Sequence, residues 1–372
     1  MKSIKEAGPL SGKRVIVRVD FNVPIVNGKV RDDFRIRKAL PTIEYLKNKG
    51  AKVILIAHLG EDEKESLEPV AKALKKYTPV LFLKESIFSQ AIDNAILEHK
   101  KGTVILLENI RREKGEKDNT SSFGRALSRF GDIYVNDAFS VSHRVHASII
   151  GIPKHIPGYA GFQLLDEVKN LSLAFEPKHP FLFILGGAKF ETKVPLIKKF
   201  MRDADKVFIG GALMNTFFKT KGYEVGQSLV DEGNFGIPKL LKDEKLLLPS
   251  DVEVAVGKTH RCVSPDQVRD TETIVDVGPK TIAELQAVIA NTKFILWNGP
   301  LGKYESGFGG ATEKLLKIIA SSKAQSIIGG GDTVALVDKL KLEKKLGFVS
   351  TGGGATLEFL AKGTLPGIKA LK

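Results

Sequence analysis

Cysteine is nearly absent. Cys262 stands alone among 372 residues, so no internal disulfide can form. It has no Cys-x-x-Cys partner, which removes the redox and structural-zinc patterns and leaves a reducing, cytoplasmic address as the expectation. Long apolar runs are missing too, and none reaches the roughly 18 residues that a membrane-spanning helix needs. The opening stretch "MKSIKEAGPL" lacks the apolar core of a secretory leader. No Gly-Lys-Ser/Thr follows any glycine run at the spacing of the common phosphate loop. The dinucleotide fingerprint is also unmatched, which disfavours a nicotinamide enzyme. The net charge is +14, yet basic stretches such as "KALKKY" and "KLKLEKKL" lack the interleaved aromatics of a nucleic-acid surface. Solvated helix faces account for most of that excess, and no nucleic-acid or membrane partner is expected.

What is present is a globular composition, 42% hydrophobic and 27% charged, in a chain long enough for about two domains. Short β-branched runs alternate with longer amphipathic ones, the mark of βαβ units and parallel sheets. Strands are expected at "RVIVRVDF", "KVILIAH", "VLFL", "TVILLEN" and "IYVNDAF", then at "FLFIL", "KVFI", "VEVAV", "KFILW", "QSII" and "FVST". A helix is expected from Phe34 to Lys49, stopped by Gly50. Prolines and glycines cluster at "PKHIPGYAG", and the following "FQLLDEVKNLSLAF" has the spacing of a connecting helix. The expected fold is therefore two doubly wound, Rossmann-like parallel-sheet domains joined by that helix.

Ligands of open parallel sheets bind beyond the carboxyl ends of the strands. In the first half those ends carry Arg18, Asp20, Asn22, His58, Arg111, His143, Arg144 and His146, with Arg35 opening the first helix. Arginine forks suit phosphate and carboxylate, so a small, hydroxylated dianion is the expected ligand. Zinc is disfavoured, because "HRVH" offers neither a clear third ligand nor a glutamate base. In the second half, "GGAKFETKV" places Lys189 and Lys193 four apart, on one face if the segment is helical. Glu305 follows the turn "WNGPLGKYE" and could accept from ribose hydroxyls, while "GGGDT" and "STGGGAT" are glycine-rich helix entries suited to phosphate. Two anionic partners with cationic side chains between them point to phosphoryl transfer, which closure of two domains would shield from water.

These motifs together resemble the phosphoglycerate kinase family. "RVDFNVP", "RIRKALPTIEYL", "AHLG", "LLENIR" and "VNDAFSVSHRVHAS" carry the resemblance in the first half. "LGGAKFETKV", "WNGPLGKYE", "IGGGDTVA" and "STGGGATLEFL" carry it in the second, in family order across the chain. The resemblance implies reversible glycolytic phosphoryl transfer between ATP and the carboxylate of 3-phosphoglycerate, giving 1,3-bisphosphoglycerate and ADP. It implies that Asp20, Asn22, Arg35, His58, Arg111 and Arg144 bind the triose, with Arg35 also beside the transferring phosphoryl group. Lys189 would stabilise that group, joined by backbone N–H groups of Gly331 and Gly353. Lys193, Glu305, Gly330, Gly331, Asp332 and Thr333 would hold the nucleotide, and Asp332 would meet the Mg2+ of Mg-ATP or Mg-ADP. The resemblance also implies a monomer. Its triose-binding domain would span 1–162 plus a returning tail at 357–372, and its nucleotide-binding domain 163–356. Three positions depart from the family pattern. Glu61 replaces an arginine, "TETIVDVGP" lacks a glycine of the adenine pocket, and Phe348 stands where histidine is common.

Overall fold

The computed structural model describes residues 1–61, 63–233 and 235–371. Two compact units form, one from Met1–Lys169 with Lys362–Lys372 and the other from Asn170–Ala361. The first holds a six-stranded parallel sheet of β1 (Arg14–Arg18), β2 (Lys52–Ile56), β3 (Val80–Leu83), β4 (Val104–Leu107), β5 (Ile133–Asn136) and β6 (Gly158–Ala160). Their order is β3-β4-β2-β1-β5-β6, so β1 lies between β2 and β5, which come from opposite windings of the chain. β1, β2, β4 and β5 are buried along nearly their whole length, because helices cover both faces of a doubly wound sheet. Continuous apolar runs such as "VIV" and "VILI" satisfy both faces at once.

α1 (Phe34–Asn48) turns its apolar stripe, Phe34, Ile36, Ala39, Ile43 and Leu46, inward. Its end shows why glycine is needed. Gly50 adopts φ +73, its N–H donates to Lys47 O, and the N–H of Ala51 donates to Leu46 O, so two orphan carbonyls are satisfied. The division between the units falls within α2 (Phe162–Ser172). Asp137, buried at the end of β5, accepts from Gln163 N at 2.8 Å and Leu164 N at 3.4 Å, capping that helix. Burial raises its pKa to about 7 against the effect of those donors.

The second unit repeats the plan with β7 (Phe181–Leu185), β8 (Lys206–Ile209), β9 (Leu246–Leu247), β10 (Val252–Val256), β11 (Thr259–Val263), β12 (Thr273–Val277), β13 (Phe294–Asn298), β14 (Gln325–Gly329) and β15 (Phe348–Val349). Six of them form a parallel sheet in the order β9-β8-β7-β13-β14-β15. The winding reverses between β7 and β13, which opens a crevice at their carboxyl ends. "VEVAV" departs from expectation. It is the middle strand of a separate antiparallel sheet, β11-β10-β12. Val252 and Val254 are buried, Glu253 and Ala255 half-buried and Val256 exposed, the pattern of a strand with one face on the core. Gly257, at φ +58, allows the immediate turn into β11, where a βαβ crossover would have needed a helix.

Trp297 in β13, the chain's one tryptophan, is wholly buried and donates from Nε1 to Gly299 O at 2.8 Å. The C-terminal tail returns to the first unit, as expected. Gly367 N donates to Ser142 O at 2.8 Å, and Leu365 and Leu371 are buried. Among the described residues no helix is long and apolar enough to cross a membrane.

Candidate functional site

In the first unit, four strand ends deliver the expected residues to the switch between β1 and β5. Asp20 joins the two sides, because its Oδ2 accepts from Ser140 Oγ at 2.6 Å and from Arg35 Nη1 at 2.8 Å. Its other oxygen accepts from Asn22 N at 3.1 Å, and Asn22 Oδ1 in turn accepts from Gly60 N at 2.9 Å. Asp20 and Asn22 thus lock the loops while Arg35, at the first turn of α1, keeps part of its guanidinium exposed. Arg111 is buried on the loop after β4, where Nη1 donates to Gly60 O and pairs with Glu61 Oε2 at 3.0 Å. Arg144 is exposed and His143 half-buried on the loop after β5.

Arg18 differs from the expectation that its fork would sit in a ligand loop. It is the last residue of β1, fully buried, and its guanidinium is engaged internally. Nε donates to Ser148 Oγ at 2.9 Å, Nη1 to Val19 O at 2.6 Å, and Nη2 meets His58 Nδ1 at 3.1 Å. Ser148 passes the link to Glu116, whose carboxylate accepts from Ser148 Oγ at 2.6 Å and Ser148 N at 2.8 Å. Arginine can only donate, so His58 Nδ1 is the acceptor and the imidazole proton sits on Nε2. Burial first, then the charges of Arg18, Arg111 and Arg35, push the His58 pKa well below 6.5. His146 is lowered to about 4, again chiefly by burial and then by Arg111. The cluster is therefore a field of arginine charge with neutral imidazoles in it. Glu116, whose pKa burial raises, carries no signal in the sequence, where "KGEKD" reads as a solvated charge run.

In the second unit the glycine turns after β7, β8 and β13 interlock. Gly187 N donates to Pro300 O at 2.8 Å and Gly211 N to Leu301 O at 3.0 Å. A Cβ on Gly211 would lie 2.3 Å from Gly187 N, so only glycine permits that approach. Above this floor lies a cleft of about 420 Å³, lined by Leu229, Ile274, Leu301, Tyr304, Glu305 and Asp332 among others. Its apolar walls with a few polar groups have the make-up of a small-molecule site.

Lys189 and Lys193 do not share a helix face. α3 (Val194–Asp203) begins after both, with Pro195 in its first turn, and Lys193 is its N-cap residue. Lys189 is exposed in the loop before it, while Lys193 is buried with Nζ donating to Gly186 O. Burial lowers the Lys193 pKa to about 8, although Asp231 and Asp332 favour its charge. α4 (Leu213–Thr220) follows the glycine turn after β8 and carries Asn215. α5 (Gly331–Lys339) opens on Gly330, whose φ of +98 few side chains tolerate. At this turn two buried polar atoms, Thr333 Oγ1 and Asn298 Nδ2, have no hydrogen-bond partner among the described residues. Asp332 sits in the first turn of α5, and burial followed by repulsion from Glu305 raises its pKa. α6 (Gly354–Lys362) follows Gly353, which has φ +52 and open space around it. Asn215, buried where it lines the cleft, carries no motif signal, since isolated asparagines occur everywhere in loops and helices, and Asn298 lies inside the "WNGPLGKYE" motif without a role of its own having been read there.

Fold and strand-end chemistry define a class: a doubly wound α/β protein with a cationic crevice in one unit and a glycine-floored cleft in the other. Comparison with known proteins makes the class specific. The family model described as phosphoglycerate kinase matches residues 4–363. Phosphoglycerate kinase of Dictyoglomus turgidum is 44% identical over 98% of this chain and 96% of its own. That of Borrelia garinii is 40% identical over 100% and 99%. The solved structure of phosphoglycerate kinase from Coxiella burnetii matches with a TM-score of 0.82 and 37% identity, over 99% of this chain and 97% of that one. The one from Pyrococcus horikoshii matches at 0.87 and 29%, over 100% and 98%. The chain belongs to the phosphoglycerate kinase family, whose members are nucleotide-using kinases.

Proposed function

We propose that the chain catalyses 1,3-bisphosphoglycerate + ADP ⇌ 3-phosphoglycerate + ATP, with the first unit holding the triose and the second the nucleotide. What carries the reading is position: the motif-matched residues gather at the strand carboxyl ends and helix entries of their own unit, where a doubly wound sheet binds ligands. In the first unit, Arg35, Arg111 and Arg144 supply charge to the triose anion. His58 supplies a neutral N–H donor, and Asp20 and Asn22 hold the loops in register. In the second unit, the apolar walls of the cleft take the base and Glu305 accepts from ribose hydroxyls. The orphaned Thr333 Oγ1 and Asn298 Nδ2 meet phosphate oxygens, along with the backbone N–H groups of Gly330 and Gly331.

Among the described residues no three His, Cys, Asp or Glu side chains gather into a metal cage. That suits magnesium, which binds through one or two carboxylates plus substrate phosphates and retains water. Asp332, half-buried and repelled by Glu305, is the carboxylate that would meet it. The ion would neutralise phosphate charge when bound with the nucleotide. In transfer, a carboxylate oxygen of the triose forms the new P–O bond as the bond to the ADP oxygen breaks. The charge spreading over the equatorial oxygens is met by Lys189 and the N–H groups of Gly331 and Gly353. Lys193, held against Gly186 O, steadies the nucleotide phosphates. The test is a coupled assay with Mg-ATP and 3-phosphoglycerate, run again with Mg-GTP. Turnover is expected; folded protein that binds ADP but turns nothing over would overturn the reading.

A further inference from the structure

We propose that Glu61 is a tethered competitor for the anion crevice, occupying Arg111 until an incoming anion displaces it. The inference rests on reading that crevice as the triose site. The Arg111 side chain is 4% exposed, whereas that of Glu61 is 83% exposed, so one partner is fixed and the other is free to swing. Arg111 is oriented independently of Glu61, because Nη1 also donates to the main-chain oxygen of Gly60. The loop backbone is held on either side of the carboxylate: Gly60 N donates to Asn22 Oδ1 at 2.9 Å, and Lys117 Nζ donates to Glu61 O at 3.3 Å. Removing the carboxylate from Arg111 therefore requires side-chain rotation and no main-chain change.

The neighbouring charges explain why an anion belongs there. Arg18, Arg35 and Arg144 act on the same histidines as Arg111 and add to one positive field. The acidic groups within that field have other work. Glu116 is buried and bonded by Ser148. Asp20 is bonded by Arg35 and Ser140. An almost wholly buried guanidinium without a counter-charge is costly, and Glu61 supplies the counter-charge from the solvent side. A bound dianion would supply it instead, and its proximity to the Glu61 carboxylate is repulsive, so the two exclude each other.

Apparent affinity then equals intrinsic affinity multiplied by the fraction of molecules whose Arg111 is open. Glu61 meets Arg111 from the solvent side, where water competes for its carboxylate, so the predicted penalty is modest, about three- to tenfold in Kd. Every anion that uses Arg111 incurs it. Inorganic sulfate, with few other contacts to offset the loss, is expected to bind poorly to the wild-type protein.

Titration calorimetry of the full chain and of Glu61→Gln, with 3-phosphoglycerate, sulfate and ADP as separate probes, tests the proposal. Glu61→Gln is expected to tighten 3-phosphoglycerate and sulfate about three- to tenfold and to leave the ADP Kd unchanged. Equal or weaker binding of both anions by the variant overturns the competitor role while the triose site stands. If sulfate tightens but neither protein binds 3-phosphoglycerate, the competitor role is supported and the functional reading fails. If neither protein binds either anion, both fail. An unchanged ADP Kd shows that the second unit of the variant has folded, and unaltered hydrogen-exchange protection of its β1 and β5 amides shows that the first has.

Discussion

At the scale of single residues, the state of each group is decided by what surrounds it. His58 illustrates this: the same imidazole in water would be partly cationic near neutrality, but Arg18 fixes its tautomer and burial fixes its charge. Nitrogen-15 NMR of labelled protein should show Nε2 protonated and Nδ1 bare throughout the neutral range. A protonated Nδ1 would refute the Arg18 contact. His146, at about 4 against an ordinary 6.5, has consequences for stability. Its folded-state value is depressed, so its contribution is full above the unfolded value and is lost as pH falls toward about 4. The urea midpoint should therefore drop between about pH 7 and about pH 4.5, and drop less in His146→Gln. Equal slopes would remove His146 from that role. Lys189 is a different case, an exposed lysine proposed to act through its charge in the transition state. Lys189→Ala should lower kcat by about 100-fold or more while the ADP Kd moves little. An unchanged kcat would take Lys189 out of the mechanism.

At the scale of elements, the glycine turns decide how closely backbone can approach backbone. A Cβ at Gly330 would sit 2.8 Å from Gly299 N, on a φ of +98. Gly330→Ala should weaken ADP binding about tenfold or more, through strain of about 1–3 kcal/mol in the α5 entry. An unaltered ADP Kd would show that the turn relaxes without cost. Most parallel strands were legible in the sequence because a strand buried on both faces must be a continuous apolar run, as "FLFIL" is, whereas β6 and β9, only two or three residues long, left no such run and were missed. β11 was not legible: "THRCV" faces solvent along most of its length, so its polar residues mask it. The shared helix face for Lys189 and Lys193 failed because spacing alone does not say where a helix starts, and α3 starts beyond both. The arginines and the glycine loops were visible as residue types. Buried Glu116 and the Asp137 cap depend on contacts far apart in sequence and left no local mark.

At the scale of the whole molecule, the chain crosses between units more than once, since Lys362–Lys372 belongs to the first unit although it follows the second. Removing residues 363–372 would uncover the sites of Leu365 and Leu371 and leave Ser142 O without its donor Gly367. The first unit should lose about 3–5 kcal/mol, read from hydrogen exchange of its β1 and β5 amides. ADP affinity should persist, and undiminished protection of those amides would show that the tail contributes little.

The placement of Trp297 gives the molecule a single-source optical signal. Indole-selective excitation reports only the second unit, from a strand that runs directly into the loop lining the cleft. Its emission should follow the unfolding of that unit. Nucleotide titrations gain an intrinsic label that needs no engineering, while a tail deletion or an anion in the other crevice leaves the indole's own surroundings untouched. In the unmodified protein the indole would report a ligand of its own unit and stay silent to one bound in the other.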